Sequence, residues 1–189
     1  MSIVEFLLIG IGLAMDAFAV ACCRGVEMKK FAWKTALLIA FFFGFFQALM
    51  PLIGWATGSQ FQKYIMAVDH YIAFGLLVLL GLKMIYEGIK KDKKEKCPSK
   101  FSFWTLLVLS IATSIDALVV GITFAFINAN IWIAISIIGS VTFLLSFIGV
   151  WLGQKIGTKL KGFAEIAGGI ILILIGTKIL LEHLSVISF

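Results

Sequence analysis

The sequence predicts an all-α integral membrane protein: six transmembrane helices as two inverted three-helix repeats, both termini extracytoplasmic. Three observations carry that expectation. Hydrophobic residues make up 61% of the 189 positions and charged residues only 14%, with a mean hydropathy of +1.09, which is far too apolar for a water-soluble domain of this size. Six apolar runs follow one another with short links, each of about 20 residues and so long enough to cross about 30 Å of hydrocarbon as a helix. Two aspartates, Asp16 and Asp116, sit mid-way along the first and fourth runs, each followed by alanine (Ala17, Ala117) and then by valine (Val20, Val120). An aspartate at the centre of a membrane helix costs roughly 2.5 to 3.5 kcal/mol on insertion scales, so a matched pair implies a function that needs both.

The first run, Ser2 to Cys23, carries Glu5 where a signal peptide would carry a basic flank, and is expected to stay as a helix. Neighbouring Cys22 and Cys23 point to different sides of it; with Cys97 they form an odd set without metal-ligand spacing, read as thiols with no disulfide role. The second run, Lys34 to Thr57, contains Gln47 and Pro51. The proline removes a backbone donor and is expected to kink the helix, turning a carbonyl toward the aspartates. The third, Asp69 to Gly88, begins near His70 and ends with Lys83 and Glu87 one turn apart. The fourth, Phe103 to Phe126, sets Thr113 and Thr123 about Asp116. The fifth, Ile131 to Gly153, follows the uncharged turn Asn128-Ala129-Asn130, and the sixth, Phe163 to His183, has Glu165 near its start and Lys178 with Glu182 near its end. Trp33, Trp55, Trp104, Trp132 and Trp151 all fall near run ends, as indoles seated at the headgroup level do.

Basic residues sort to one side. Arg24, Lys29, Lys30 and Lys34 lie between runs 1 and 2, Lys90, Lys91, Lys93, Lys94, Lys96 and Lys100 between 3 and 4, and Lys155, Lys159 and Lys161 between 5 and 6. The links on the other side carry only Lys63. The positive-inside rule puts the basic links in the cytoplasm. The formal charge of +6 thus reports orientation, and nucleic acid is not an expected partner. The lysine-rich 3–4 link reads as a solvated connector that sets topology, with an anionic-lipid patch as the alternative.

Aligning Asp16 with Asp116 leads on to Gly54-Trp55-Ala56-Thr57-Gly58 against Gly149-Val150-Trp151-Leu152-Gly153, and to Gly81-Leu82-Lys83 with Glu87 against Gly176-Thr177-Lys178 with Glu182. The offset changes from 100 to 95 residues between the first and second helices of each half. This divides the chain into 1–95 and 96–189, two related three-helix units. An odd helix number per unit forces the second upside down relative to the first, a recurrent plan in secondary transporters with the site at the midplane between the halves. Gly54 and Gly58, with Gly149, Gly153 and Gly157, form small-residue faces suited to packing within the protomer or across a homodimer.

Two carboxylates at the midplane suit a divalent cation as transported substrate, and no resident cofactor is expected. Magnesium and manganese prefer a near-octahedral oxygen shell; Asp16 and Asp116 supply charge, while Gln47, Thr113, Thr123, backbone carbonyls and water are the further oxygen candidates, with Met15 or Met50 as softer ligands or simply packing. Lys83 with Glu87 and Lys178 with Glu182 read as local one-turn ion pairs or gating pairs, and His70 and Glu165 as interfacial entry groups or groups of no special role. Moving a doubly charged ion outward against about 100 mV costs roughly 4.6 kcal/mol. The chain has no phosphate-binding loop, so exchange of one divalent ion for two protons is the expected driving reaction. An intramembrane aspartyl protease also needs two membrane aspartates, but its Gly-x-Gly-Asp pattern is absent. Another divalent metal, or a small cationic metabolite, remains an alternative substrate.

Met15 to Ala19, Thr113 to Ala117, Met50-Pro51-Leu52-Ile53-Gly54-Trp55, His70 to Phe74 and Met84 to Gly88 together resemble the small bacterial manganese efflux pumps of the MntP type, over essentially the full length. The resemblance implies a multi-pass protein of the bacterial plasma membrane that exports manganese(II) to relieve its toxicity. It matches Asp16 and Asp116 to the family's membrane aspartates and Gly25 to a glycine the family tends to keep. Family members can carry glutamate where this chain has Gln47, and an acidic 3–4 link where this one is lysine-rich.

Overall fold

The first helix, α1 (Ile3–Glu27), starts at a reciprocal capping box. The Ser2 hydroxyl accepts from the Glu5 backbone N–H at 3.4 Å and the Glu5 carboxylate accepts from the Ser2 N–H at 2.9 Å, satisfying donors that would otherwise be stranded at the helix start. The computed structural model describes residues 1–28, 31–65, 69–89, 102–156 and 161–183, and among these the side chains at 61–65, 69–70, 72, 87–88, 156, 161–165, 167 and 182–183 are not described. After α1 come α2 (Trp33–Ile65), α3 (Asp69–Ile89), α4 (Phe103–Phe126), α5 (Ile131–Ile156) and α6 (Lys161–His183).

The asparagine turn between α4 and α5 closes both helices. Asn128 takes a left-handed φ of 50°, and the N–H groups of Asn128 and Ala129 donate to the carbonyls of Ala125 and Phe124, the paired bonds of a Schellman motif. Asn130 then caps α5, its side-chain oxygen accepting from the N–H groups of Trp132 at 3.1 Å and Ile133 at 3.4 Å.

α1, α2, α4 and α5 are each long and apolar enough to cross a membrane, and α3 and α6 contribute the apolar stretches Ala73–Tyr86 and Gly168–Leu181. Large apolar side chains cover the outside, among them Leu37, Phe41, Phe45, Leu79, Leu82 and Leu174, and Trp33, Trp104 and Trp132 stand exposed at helix starts. Lipid as the surrounding solvent accounts for so much exposed hydrocarbon. This is an integral membrane protein.

Three helix pairs dominate the packing, α1 on α5, α2 on α4 and α3 on α6, with α2–α5, α1–α6 and α3–α4 completing the bundle. Each pair joins one helix from before the 90–101 link to one from after it, so the two halves interlock. Glycine permits these approaches. A Cβ on Gly153 would stand 2.0 Å from the Cys22 carbonyl oxygen, and one on Gly54 2.1 Å from that of Leu118. Backbone thus meets backbone across α1–α5 and α2–α4, where dispersion and close contact replace the hydrophobic effect that lipid cannot supply. The glycine faces at 54 and 153 are therefore used within the protomer; Gly157 lies outside the described residues.

Several boundaries differ from expectation. α1 runs on past Cys23 to Glu27, so Arg24 is a buried helical residue, 3% exposed, that donates to Glu27 at 2.9 Å, and is not part of a loop. α2 continues past Thr57 to Ile65. An apolar run measures the hydrocarbon slab, whereas a helix keeps going until its backbone bonds find another outlet. Cys23 is disulfide-bonded, against the expectation of three simple thiols, and Cys22 is free and buried; the partner of Cys23 lies outside the described residues. Pro51 sits inside α2, which continues through it.

Candidate functional site

The polar centre of the bundle is built on the buried face of α2. Ile39, Phe43 and Gln47 are spaced four residues apart and are each 0% exposed, as helical periodicity requires of one inward stripe. A glutamine in that stripe must find partners for both ends of its amide. Gln47 does so across two other helices: its Nε2 donates to the Leu13 carbonyl of α1 at 3.2 Å, and its Oε1 accepts from the Ser114 hydroxyl of α4 at 2.9 Å. Leu13 lies one turn before Asp16, and Ser114 two residues before Asp116. One side chain thereby ties the two aspartate-bearing segments together.

Asp116 is 7% exposed and is held by an ammonium group. Lys83 of α3 donates to both of its carboxylate oxygens, at 2.8 and 3.0 Å. The lysine side chain is 44% exposed against 9% for the aspartate, so a long flexible arm reaches inward to a fixed carboxylate. Lys178 of α6 reaches Glu5 of α1. Both lysines thus reach a carboxylate of another helix, because α3 packs on α4 and α6 on α1; the side chains of Glu87 and Glu182, the other members of the expected one-turn pairs, like those of His70 and Glu165, lie outside the described residues. Asp16 is half-buried on α1, one turn after Gly12, which packs against the Gly168 carbonyl and Leu172 of α6.

The other sequence candidates fall into place around this centre. The hydroxyls of Thr113 and Thr123 donate to carbonyls of their own helix, Leu109 at 3.0 Å and Val119 at 3.2 Å, a bond that satisfies a hydroxyl in an apolar setting. Met15 and Met50 pack against the buried apolar clusters, with Met15 also close to Gly168. Among the described residues no three His, Cys, Asp or Glu side chains gather closely enough to hold a metal ion.

Three polar residues of this region were not singled out from the sequence as site candidates: Ser114, Thr142 and Ser146. The latter two are 0% exposed on α5, and their hydroxyls have no hydrogen-bond partner among the described residues. The repeat offset of 95 residues points to both, since it carries Gln47 to Thr142 and Pro51 to Ser146.

A family model described as "Putative manganese efflux pump" matches residues 30–180. A relative of that printed name from Acetivibrio thermocellus is 52% identical over 189 residues, covering 100% of this chain and 96% of the relative. One from Desulfitobacterium hafniense is 54% identical over 96% of this chain and 95% of its own length, and one from Clostridium perfringens is 49% identical over 100% and 98%. No solved structure matches the chain.

Proposed function

Because the chain belongs to this family of manganese efflux pumps, we propose that it is a secondary transporter carrying manganese(II) out of a bacterial cell across the plasma membrane, protecting the cell from manganese toxicity. Asp16 and Asp116 form the metal site at the middle of the membrane, and Gln47 sets the spacing of their helices.

The observation that carries this reading is the Lys83–Asp116 pair. A buried carboxylate in an apolar helix, gripped at both oxygens by a tethered ammonium, is a cation site with its own placeholder. An incoming divalent ion takes the carboxylate, and the lysine arm swings away toward its more exposed surroundings. A carboxylate held in this way does not share a proton with a second aspartate, which weighs against aspartyl-protease chemistry.

The inverted repeat is supported by the packing. Exchanging α1 with α4, α2 with α5 and α3 with α6 turns the α1–α5 pair into α4–α2 and the α1–α6 pair into α4–α3, and all of these pairs occur. The agreement extends to single residues: Gly54 abuts Leu118 and Gly149 abuts Phe18, contacts related by the offsets of 95 and 100 residues. With the basic links in the cytoplasm, Asp16 and Asp116 lie at comparable depth from opposite faces. Exchange of one manganese ion for two protons makes the outward step electroneutral and removes the roughly 4.6 kcal/mol cost of moving two charges against about 100 mV.

The test is cell manganese in bacteria lacking their own exporter and loaded with the metal. The native chain is expected to lower it, and Asp16→Asn or Asp116→Asn, inserted at equal level, to leave it high. Normal export by both variants would remove the carboxylate site. In inverted vesicles an imposed pH gradient is expected to drive manganese uptake; flux indifferent to that gradient would remove proton coupling while leaving the metal assignment.

A further inference from the structure

A hydroxyl on a membrane helix ordinarily donates to the carbonyl four residues back, and this protein follows that rule widely. Ser110, Thr113, Thr123, Ser136 and Thr177 donate to Leu106, Leu109, Val119, Trp132 and Ile173, at 2.8, 3.0, 3.2, 2.8 and 2.8 Å. Thr142 and Ser146 break it: both hydroxyls are wholly buried without a partner among the described residues, a state that is costly for a polar group.

They also share a face. Ala134, Ile138, Thr142, Ser146 and Val150 are each 0% exposed and recur every four residues, so they form one inward stripe of α5. That stripe is pinned to α1 at both ends. A Cβ on Gly10 would meet Ile138 Cα at 3.4 Å, and one on Gly149 would meet the Phe18 carbonyl at 3.0 Å. The stretch between, which bears the two hydroxyls, therefore runs beside the turns of α1 that carry Asp16. On its other flank a Cβ on Gly139 would stand 3.0 Å from Ala48 Cβ of α2, next to Gln47. A Cβ on Gly44 would stand 3.0 Å from Phe143 Cβ, so Thr142 lies beside the stretch of α2 that leads to Gln47, with Ser146 one turn further along α5.

We propose that Thr142 and Ser146 supply hydroxyl oxygens to the divalent cation as it passes through the bundle, completing from α5 the shell that the carboxylates begin. This rests on the manganese-transport reading above and extends its site to a fifth helix. A manganese ion takes about six oxygen ligands in near-octahedral array; two carboxylates leave most of that shell open, the Gln47 amide is engaged at both ends, and the hydroxyls of Thr113 and Thr123 are turned to their own backbone. The α5 hydroxyls alone among the buried ones described on α4 and α5 are left uncommitted. The halves then contribute unequally: α2 uses its position 47 to hold the helices, while α5 uses the matching position 142 to hold the ion.

The experiment titrates the full-length protein in lipid nanodiscs with manganese chloride, comparing native with Thr142→Val, Ser146→Ala, the double variant, Thr142→Ser and Asp116→Asn. Loss of two oxygen donors is expected to weaken binding about tenfold in the double variant, with an unchanged or raised melting temperature because unpaired hydroxyls have been removed. Thr142→Ser, which keeps the hydroxyl, is expected to bind as the native protein does. Native affinity in the double variant overturns the proposal, as does equal weakening by Thr142→Ser and Thr142→Val, which would make the position one of shape. Should the double variant fail to fold, the single variants decide, each expected to bind several-fold more weakly. If Asp116→Asn loses binding while the double variant keeps it, the hydroxyl inference falls and the carboxylate site stands; the reverse pattern upholds the hydroxyls and removes the carboxylate.

Discussion

Replacing Lys83 by methionine removes the ammonium and keeps most of the arm's length and apolar contact. Two unit charges about 4 Å apart attract by roughly 4 kcal/mol at an effective dielectric near 20. The bidentate geometry at 2.8 and 3.0 Å favours the upper part of the range for ion pairs, but the lysine side chain is 44% exposed, which places the pair between the surface and buried limits. A net value of about 2 kcal/mol follows. In the native protein an arriving manganese ion must displace this bond; in Lys83→Met it need not, so manganese is expected to bind about 30-fold more tightly. The metal-free variant should be less stable by a similar amount, its buried carboxylate having lost its counter-charge, and added manganese should restore the melting temperature by mass action. Calorimetric titration and thermal melts with and without manganese chloride check both signs. Manganese affinity that is unchanged or weaker in Lys83→Met would refute the placeholder role and make the pair purely architectural.

Three further outcomes rest on packing and polar satisfaction. Gln47→Leu removes the amide that joins Leu13 to Ser114, and is expected to lower stability by about 1–3 kcal/mol, read as a reduced melting temperature; an unchanged melt would show that the α1–α4 spacing does not depend on it. Gly153→Ala drives a Cβ to 2.0 Å from the Cys22 carbonyl and should cost at least about 2–3 kcal/mol or prevent folding, seen as loss of a monodisperse peak in size-exclusion chromatography. Gly75→Ala meets nothing within 4 Å and is expected to be tolerated or to stabilise α3 by up to about 1 kcal/mol, so the pair of glycine variants separates helix contact from helix propensity.

Lys83 shows what a linear sequence leaves undecided. The one-turn spacing of Lys83 from Glu87 is visible within a single run, because helical periodicity is all that such a run displays; the bond of its ammonium to Asp116 of another helix is not. The bond of Lys178 to Glu5, which also serves the cap of α1, is likewise set by packing. The charge of Arg24 marks the end of an apolar run and so suggests a loop, yet α1 carries on through it. Thr142 and Ser146 look like routine helix hydroxyls in the sequence, and only the repeat offset marks them out.

Composition, run length and the twin aspartates determined the membrane class, the six helices and the residues around which a site would form, since each depends on hydropathy and local spacing that a linear sequence displays. Which helix lies on which was decided by tertiary structure, through carbonyl-to-glycine contacts that no propensity encodes. The same packing decided that Gln47 is a brace, that Lys83 answers Asp116, and that two buried hydroxyls of α5 have no partner among the described residues, because the partner of a buried polar group is set by the helices that surround it.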